Sequence, residues 1–217
     1  MIPQPPAGKN RCESVLSIDR PNLHGIEALV LAGGAGRRVG GQDKGLLPWH
    51  GRPLIEHVIE RISPQVCSLH ISCNRNRHVY ARHAPLTPPD LRQDYQGPLA
   101  GLEAAQAVLH HARVLLVPCD TPRLPQDLAA RLLSKLESVP DAQVCYASTG
   151  DKAHYLCALL RREALTSLTA FLDSGERAVH RWFAQMGAVA VSFDDQRECF
   201  LNINAMETPA TGQTTAT

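Results

Sequence analysis

The sequence predicts an α/β fold, a parallel or mostly parallel sheet with helices on both faces. Three observations predict it. Short apolar runs of strand length alternate with segments of helical spacing. Two of those segments open on a proline, Pro53 and Pro98, the residue best suited to a first helical turn. The first apolar run breaks directly into a Gly-rich loop, and open sheets of this kind bind ligands at the carboxyl ends of their strands.

In chain order, Glu27 to Leu31 reads as the first strand, and Leu54, Ile55, Val58, Ile59 and Ile62 share a helical face after Pro53. Val66 to Ser72 is a second strand. After Pro98, Leu99, Leu102, Ala105 and Leu109 line a second helix. Val114 to Val117 is a third strand, apolar enough to lie centrally. A helix is expected over Gln126 to Glu137, strands over Gln143 to Ala147 and Tyr155 to Leu160, helices over Glu163 to Leu172 and Arg177 to Gln185, and a last strand over Ala188 to Phe193.

Length and composition bound the function. A chain of 217 residues suits one domain with tails and is long enough to bury a sizeable core. Residues 1–24, with Pro3, Pro5, Pro6 and Pro21 and little periodicity, read as a disordered leader. Residues 25–206 form the domain, and 207–217 a loose Thr/Ala-rich tail. With 22 Lys+Arg against 21 Asp+Glu the formal charge is +1, which argues against nucleic-acid or membrane binding by bulk electrostatics. No apolar run approaches the roughly 18 residues of a membrane span, and no signal-peptide order opens the chain, so a cytoplasmic location is expected. The seven cysteines are scattered without a C-x-x-C pair and read as small buried hydrophobes in a reducing compartment. His110 and His111 are adjacent and face different ways, which suits a helix end better than a ligand pair.

Leu29 to Pro48 carries the strongest functional signal. Gly33, Gly34, Gly36, Gly40 and Gly41 free the backbone from Cβ sterics, so that consecutive N–H groups can converge on an anion. Arg37, Arg38 and Lys44 add fixed positive charge. A basic surface loop is the plainer alternative, but such loops seldom follow a clean strand and end in Asp-Lys-Gly. A P-loop is excluded because Gln42 and Asp43 interrupt the required Gly-Lys-Ser/Thr order. A dinucleotide fingerprint lacks its third glycine, since Gly34-Ala35-Gly36 is followed by Arg37, Arg38 and Val39, and the next strand carries no acid.

The third strand ends in Pro118-Cys119-Asp120-Thr121-Pro122, a carboxylate stiffened by two prolines at the ligand edge. Its natural use is to bind Mg²⁺, which takes one or two carboxylates and completes its shell with water and phosphate; a helix-capping Asp is the alternative. Asp94 precedes Gly97-Pro98, where it can serve a base, a ribose or metal-bound water, or be a plain turn residue. The small residues Ala100 and Gly101 let that helix approach a ligand closely. Further on lie His154-Tyr155, Gly175-Glu176-Arg177 and Asn202-Ile203-Asn204, whose two amides share one face if extended.

Taken together, Leu31 to Gly34, Arg37-Arg38, Gly40-Gly41-x-Asp43-Lys44-Gly45, Asn74-Arg75, Gly97 to Gly101, Pro118 to Pro122, Gly175-Glu176-Arg177 and Asn202-x-Asn204 resemble the molybdenum cofactor guanylyltransferases, the family that joins GMP to molybdopterin. The motifs run in family order over nearly the whole chain outside its tails. The resemblance implies a three-layer α/β/α domain with a mostly parallel Rossmann-like sheet of the nucleotidyltransferase type. It also implies GTP and molybdopterin as substrates, Mg²⁺ as cofactor, and contact with cofactor proteins upstream and downstream. By resemblance, Leu31, Ala32, Gly33, Gly34, Lys44, Asp94 and Asp120 contact the nucleotide. Asp120 also holds the metal and works with Lys44 and Arg38 as the catalytic set. Ser72 stands where some members carry Asn, so that nucleotide contact is shortened or moved to Asn74. Arg177, Asn202 and Asn204 fall to the molybdopterin side. After Asn204 the usual Thr-Pro turn is replaced by Ala205-Met206-Glu207-Thr208-Pro209. Related nucleotidyltransferases using CTP or a sugar-phosphate acceptor are the nearest rivals. A non-catalytic GTP- or molybdopterin-binding protein is the third, disfavoured by the joint presence of Lys44 and Asp120.

Overall fold

The structure is a computed structural model that describes residues 25–32, 42–93 and 96–203. The expected leader and tail lie outside the described residues, as do Gly33, Gly34, Arg38, Asp94 and Asn204. A six-stranded sheet runs in the order β4-β1-β5-β7-β6-β8, from β1 (Ile26–Leu31), β4 (Ser68–Ser72), β5 (Arg113–Pro118), β6 (Val144–Thr149), β7 (Lys152–Arg161) and β8 (Val189–Ser192). β1 pairs in parallel with β4 and β5, and β6 in parallel with β8; β7 alone runs against its neighbours. The mostly parallel sheet is as expected. The reversal of β7 follows from the two-residue turn Gly150-Asp151, where Gly150 takes φ 53° and folds β6 back on β7 as a hairpin.

Alternation along the central strands sends side chains into two cores. Ile26, Ala28 and Val30 of β1 and Leu115 and Val117 of β5 meet α1 (Leu54–Ile62) and α4 (Leu128–Ser138) on one face. On the other face, Leu29, Val114 and Leu116 meet α3 (Pro98–Ala105), α5 (Leu168–Asp173) and α6 (Val179–Ala184). The result is the three-layer α/β/α arrangement. In α1 the buried residues Leu54, Ile55, Val58 and Ile62 fall at helical spacing behind Pro53, which occupies the cap rather than the first turn.

Several boundaries differ from expectation. α3 ends at Ala105, and Leu109 is buried from the turn that follows. The segment read as one helix from Glu163 begins as a 3-10 stretch, Arg162–Ser167, before α5. A small antiparallel pair, β2 (Pro48–Trp49) with β3 (Arg52–Pro53), and a single turn of helix, α2 (Arg77–Tyr80), were not foreseen. Cys73, Cys119, Cys145 and Cys157 are buried as expected, whereas Cys67 is exposed. Among the described residues no helix is long and apolar enough to cross a membrane.

Candidate active site

β1 has β4 on one side and β5 on the other, so the chain changes direction of travel across the sheet at this point, where a crevice opens. Leu31 stands in register with both Ser72 and Pro118. The N–H of Ala32 donates to the Ser72 carbonyl at 2.8 Å, and that of Cys119 to the Leu31 carbonyl at 3.2 Å. Three carboxyl ends, carrying Leu31-Ala32, Ser72 to Asn74 and Asp120, are thereby locked side by side.

Lys44, just beyond the Gly-rich segment, opens a 3-10 turn, Lys44–Leu46, and sends its Nζ to within 3.1 Å of Asp120 Oδ2. Residues 76 positions apart in sequence form one cation–carboxylate pair at the crevice. Asp120 is 9% exposed, and its carbonyl accepts the Ile203 N–H at 2.9 Å. Beside it, the Thr121 hydroxyl donates to Asn202 Oδ1 at 2.9 Å, which brings Asn202 to the same strand end. The neighbouring Cys119 thiol is pushed far up, by burial first and the Asp120 carboxylate second, so it stays protonated near neutral pH. Among the described residues no group of three or more His, Cys, Asp or Glu gathers as a metal cage. One hard carboxylate beside a lysine suits a cation such as Mg²⁺, whose remaining ligands are phosphate oxygens and water.

Gly101 sits differently from its predicted use, and Arg177 has partners of its own within the fold. Gly101 does not face a ligand. A Cβ there would overlap the Ser72 hydroxyl and meet Leu31, so its smallness lets α3 close onto the strand ends. Ser72 is correspondingly 2% exposed. The Arg177 guanidinium donates to the Leu172 and Glu176 carbonyls, each at 2.6 Å, and so ties the end of α5 to the segment entering α6. Asn74 accepts the Asp90 N–H at 3.0 Å. Burial raises the Asp90 carboxyl above its ordinary range, against the opposing bond from Asn74. This half-buried carboxylate beside the end of β4 carries no sequence signal of its own, unlike Asp94 with the turn motif that follows it.

The reversed β7 supplies the opposite wall. Tyr146 of β6 pairs with Ala158, but the next residue, Ala147, pairs with His154, so residues 155–157 of β7 bulge out of register. A cleft of about 320 Å³ opens there, lined in part by Thr121, Lys152, His154, Tyr155, His180 and Asn202. His154 shares a 2.8 Å hydrogen bond with the Thr149 hydroxyl and stacks on Phe200 at 4.7 Å between centroids. Burial, with Lys152 adding to it, lowers its pKa to about 4, so its ring is neutral near pH 7. Tyr155 packs against Tyr146 at 4.8 Å.

A family model described as the MobA-like NTP transferase domain matches residues 28–189. The chain belongs to this family. It is 42% identical over 182 residues, 84% of its length and 90% of the relative's, to the molybdenum cofactor guanylyltransferase of Shewanella halifaxensis. It is 43% identical over the same shares to that of Shewanella pealeana. Among solved structures it matches the molybdopterin-guanine dinucleotide biosynthesis protein A of Archaeoglobus fulgidus with a TM-score of 0.66 at 25% identity, over 82% of this chain and 92% of that one. The 4-diphosphocytidyl-2C-methyl-D-erythritol synthase of Anaerococcus prevotii, at TM-score 0.62 and 10% identity over 82% of this chain and 89% of that one, shares the fold. This MobA-like protein is an enzyme of the nucleotidyltransferase class.

Proposed function

We propose that the protein transfers GMP from GTP to molybdopterin, with or without its molybdenum, forming the guanine dinucleotide and releasing pyrophosphate. The observation that carries this reading is the Lys44–Asp120 pair, 3.1 Å apart at the carboxyl ends of β1 and β5, beside a cleft that Asn202 helps to line. The names of the relatives at 42–43% identity supply the base and the acceptor.

The nucleotide edge is Leu31, Ala32, Ser72, Asn74, Asp90 and Lys44, joined by Gly33, Gly34, Arg38 and Asp94 from outside the described residues. Asp120 would hold Mg²⁺, which when bound supplies charge neutralisation on the triphosphate. The molybdopterin side is Asn202, which lines the cleft beside β7, with Arg177 and Asn204 assigned to it by the resemblance. An oxygen of the acceptor's terminal phosphate forms a bond to the α-phosphorus of GTP. The bond from that phosphorus to the bridging oxygen breaks opposite it, and pyrophosphate leaves with the electron pair. The attacking phosphate is already ionised near neutral pH, so no strong base is required; positioning and electrostatics dominate. Lys44 contributes by moving its charge between Asp120 and the phosphates. The cysteines fit a reducing compartment, and we assign the enzyme to the cytoplasm, with handover to cofactor proteins before and after this step.

The test is to incubate the enzyme with Mg²⁺, molybdopterin and each of GTP, CTP and ATP, following pyrophosphate and dinucleotide together. Product from GTP alone is expected. Product from CTP alone would transfer the assignment to a cytidylyl enzyme, and binding without pyrophosphate to a non-catalytic role.

A further inference from the structure

Asp43, immediately before Lys44, has no contact with the Lys44–Asp120 pair among those just described. An Asp ahead of a helical turn ordinarily caps it, yet its side chain makes no capping hydrogen bond to Lys44–Leu46. Instead one carboxylate oxygen accepts the Tyr80 hydroxyl at 2.5 Å, and the other accepts the Asn76 side-chain amide at 3.0 Å.

The two partners differ in setting, one buried and one exposed. Tyr80 is fully buried, and Asn76 sits in the left-handed region, φ 49°, at the start of α2. The turn is held in its own right by Arg77, whose guanidinium donates to the Cys73 and Thr87 carbonyls at 2.7 and 2.8 Å. On the far side of Lys44, Gly45 is buried, and a Cβ there would overlap the same Tyr80 hydroxyl. The lysine backbone is therefore gripped from both sides by one tyrosine, while its side chain is left to reach Asp120.

Satisfying a buried phenol does not by itself call for this arrangement, since any backbone carbonyl would serve. A carboxylate makes the bond charge-assisted and directional, at the cost of partial desolvation. Burial first, then the Cys119 thiol and Asp43, raises the Tyr80 pKa far above the ordinary phenol value, so the hydroxyl remains the donor.

We propose that Asp43, Tyr80 and Asn76 are positioning residues that fix the backbone of Lys44 and so aim its ammonium group at the triphosphate. The brace itself is independent of the transfer reaction; only what Lys44 then contacts rests on the function proposed above.

Two measurements test it. In the ligand-free protein, Tyr80→Phe and Asp43→Ala are expected to speed amide exchange in residues 43–47 by about tenfold or more, with the sheet unchanged. Unaltered exchange there overturns the brace. In the reaction, Tyr80→Phe is expected to lower kcat/KM for Mg-GTP about tenfold, the worth of a hydrogen bond to a charged group. Asp43→Asn, which keeps an acceptor for the phenol, should retain most of the activity that Asp43→Ala loses. The deciding comparison is the double-mutant cycle: in a Lys44→Ala background, Tyr80→Phe should change kcat/KM by less than about twofold. An equal loss in both backgrounds would mean a general structural role and overturn the proposal. A wild-type protein that released no pyrophosphate would sink the transfer reading, while the exchange measurement would still decide the brace.

Discussion

The two walls of the crevice are built by opposite means. The wall assigned above to the nucleotide consists of parallel strand ends locked in register, with Lys44 and Asp120 paired at 3.1 Å and small residues closing the gaps. The β7 wall consists of one antiparallel strand with a three-residue bulge, a neutral histidine and stacked rings. The first is a rigid array of charge, which any nucleoside triphosphate demands. The second is an irregular, largely apolar and aromatic surface, where shape can distinguish one acceptor from another.

Asp120→Ala sets the largest expected difference between the walls. It removes the carboxylate opposite Lys44, and turnover at saturating Mg²⁺ and GTP should fall roughly 10²–10³-fold with the fold intact. Near wild-type turnover would end the assignment of the metal to Asp120. Next is Arg92→Ala, which affects stability. Arg92 forks onto Glu103 at 2.7 and 2.8 Å and also reaches Asp173 at 2.7 Å, tying the loop before α3 to α3 and α5. Glu103 is 4% exposed at its side chain, so stranding it should cost about 3 kcal/mol in denaturant unfolding. Less than about 1 kcal/mol would show that the carboxylate finds water.

Gly101→Ala should cost about 1–3 kcal/mol by forcing α3 off the Ser72 hydroxyl. Adding Ser72→Ala should recover part of the loss, and strict additivity of the two would contradict the packing account.

The smallest effect concerns His154. Its folded pKa of about 4 lies below the ordinary histidine value of 6.5. Between those values the unfolded chain binds the proton and the folded one does not, so stability is full above pH 6.5 and declines as pH falls towards 4. His154→Gln should flatten that part of the stability profile. An NMR titration midpoint near 6.5 for this ring would contradict its burial.

Legibility in the sequence followed the same division. Lys44 and Asp120 could be read because a glycine-rich turn and a Pro-flanked Asp have few other physical uses, and Asn202 because alternate residues of an extended segment share a face. The layers could be read from periodicity alone. The brace could not: Asp43 and Tyr80 are 37 positions apart, and neither one's spacing announces the other. Arg92 and Glu103 were missed likewise, since an acid inside the otherwise small and apolar α3 looks like a surface residue until the loop folds over it. Gly101 was read as ligand-facing because smallness does not say which neighbour needs the room. The direction of β7 was the exception, as the strand–Gly150–Asp151–strand pattern is a hairpin signal that the strand–helix rhythm concealed.

The backbone bond from Ile203 to the Asp120 carbonyl has a temporal consequence. Its partners are 83 positions apart in a chain synthesised from the amino end. At ribosomal speed the second arrives on the order of ten seconds after the first. Both central strands and the carboxylate are made by then, but the strand end is neither sutured nor joined by Asn202. The nascent chain thus passes through a stage in which the strand end bearing Asp120 is made but still open, and it is closed only when residues 202 and 203 emerge and dock.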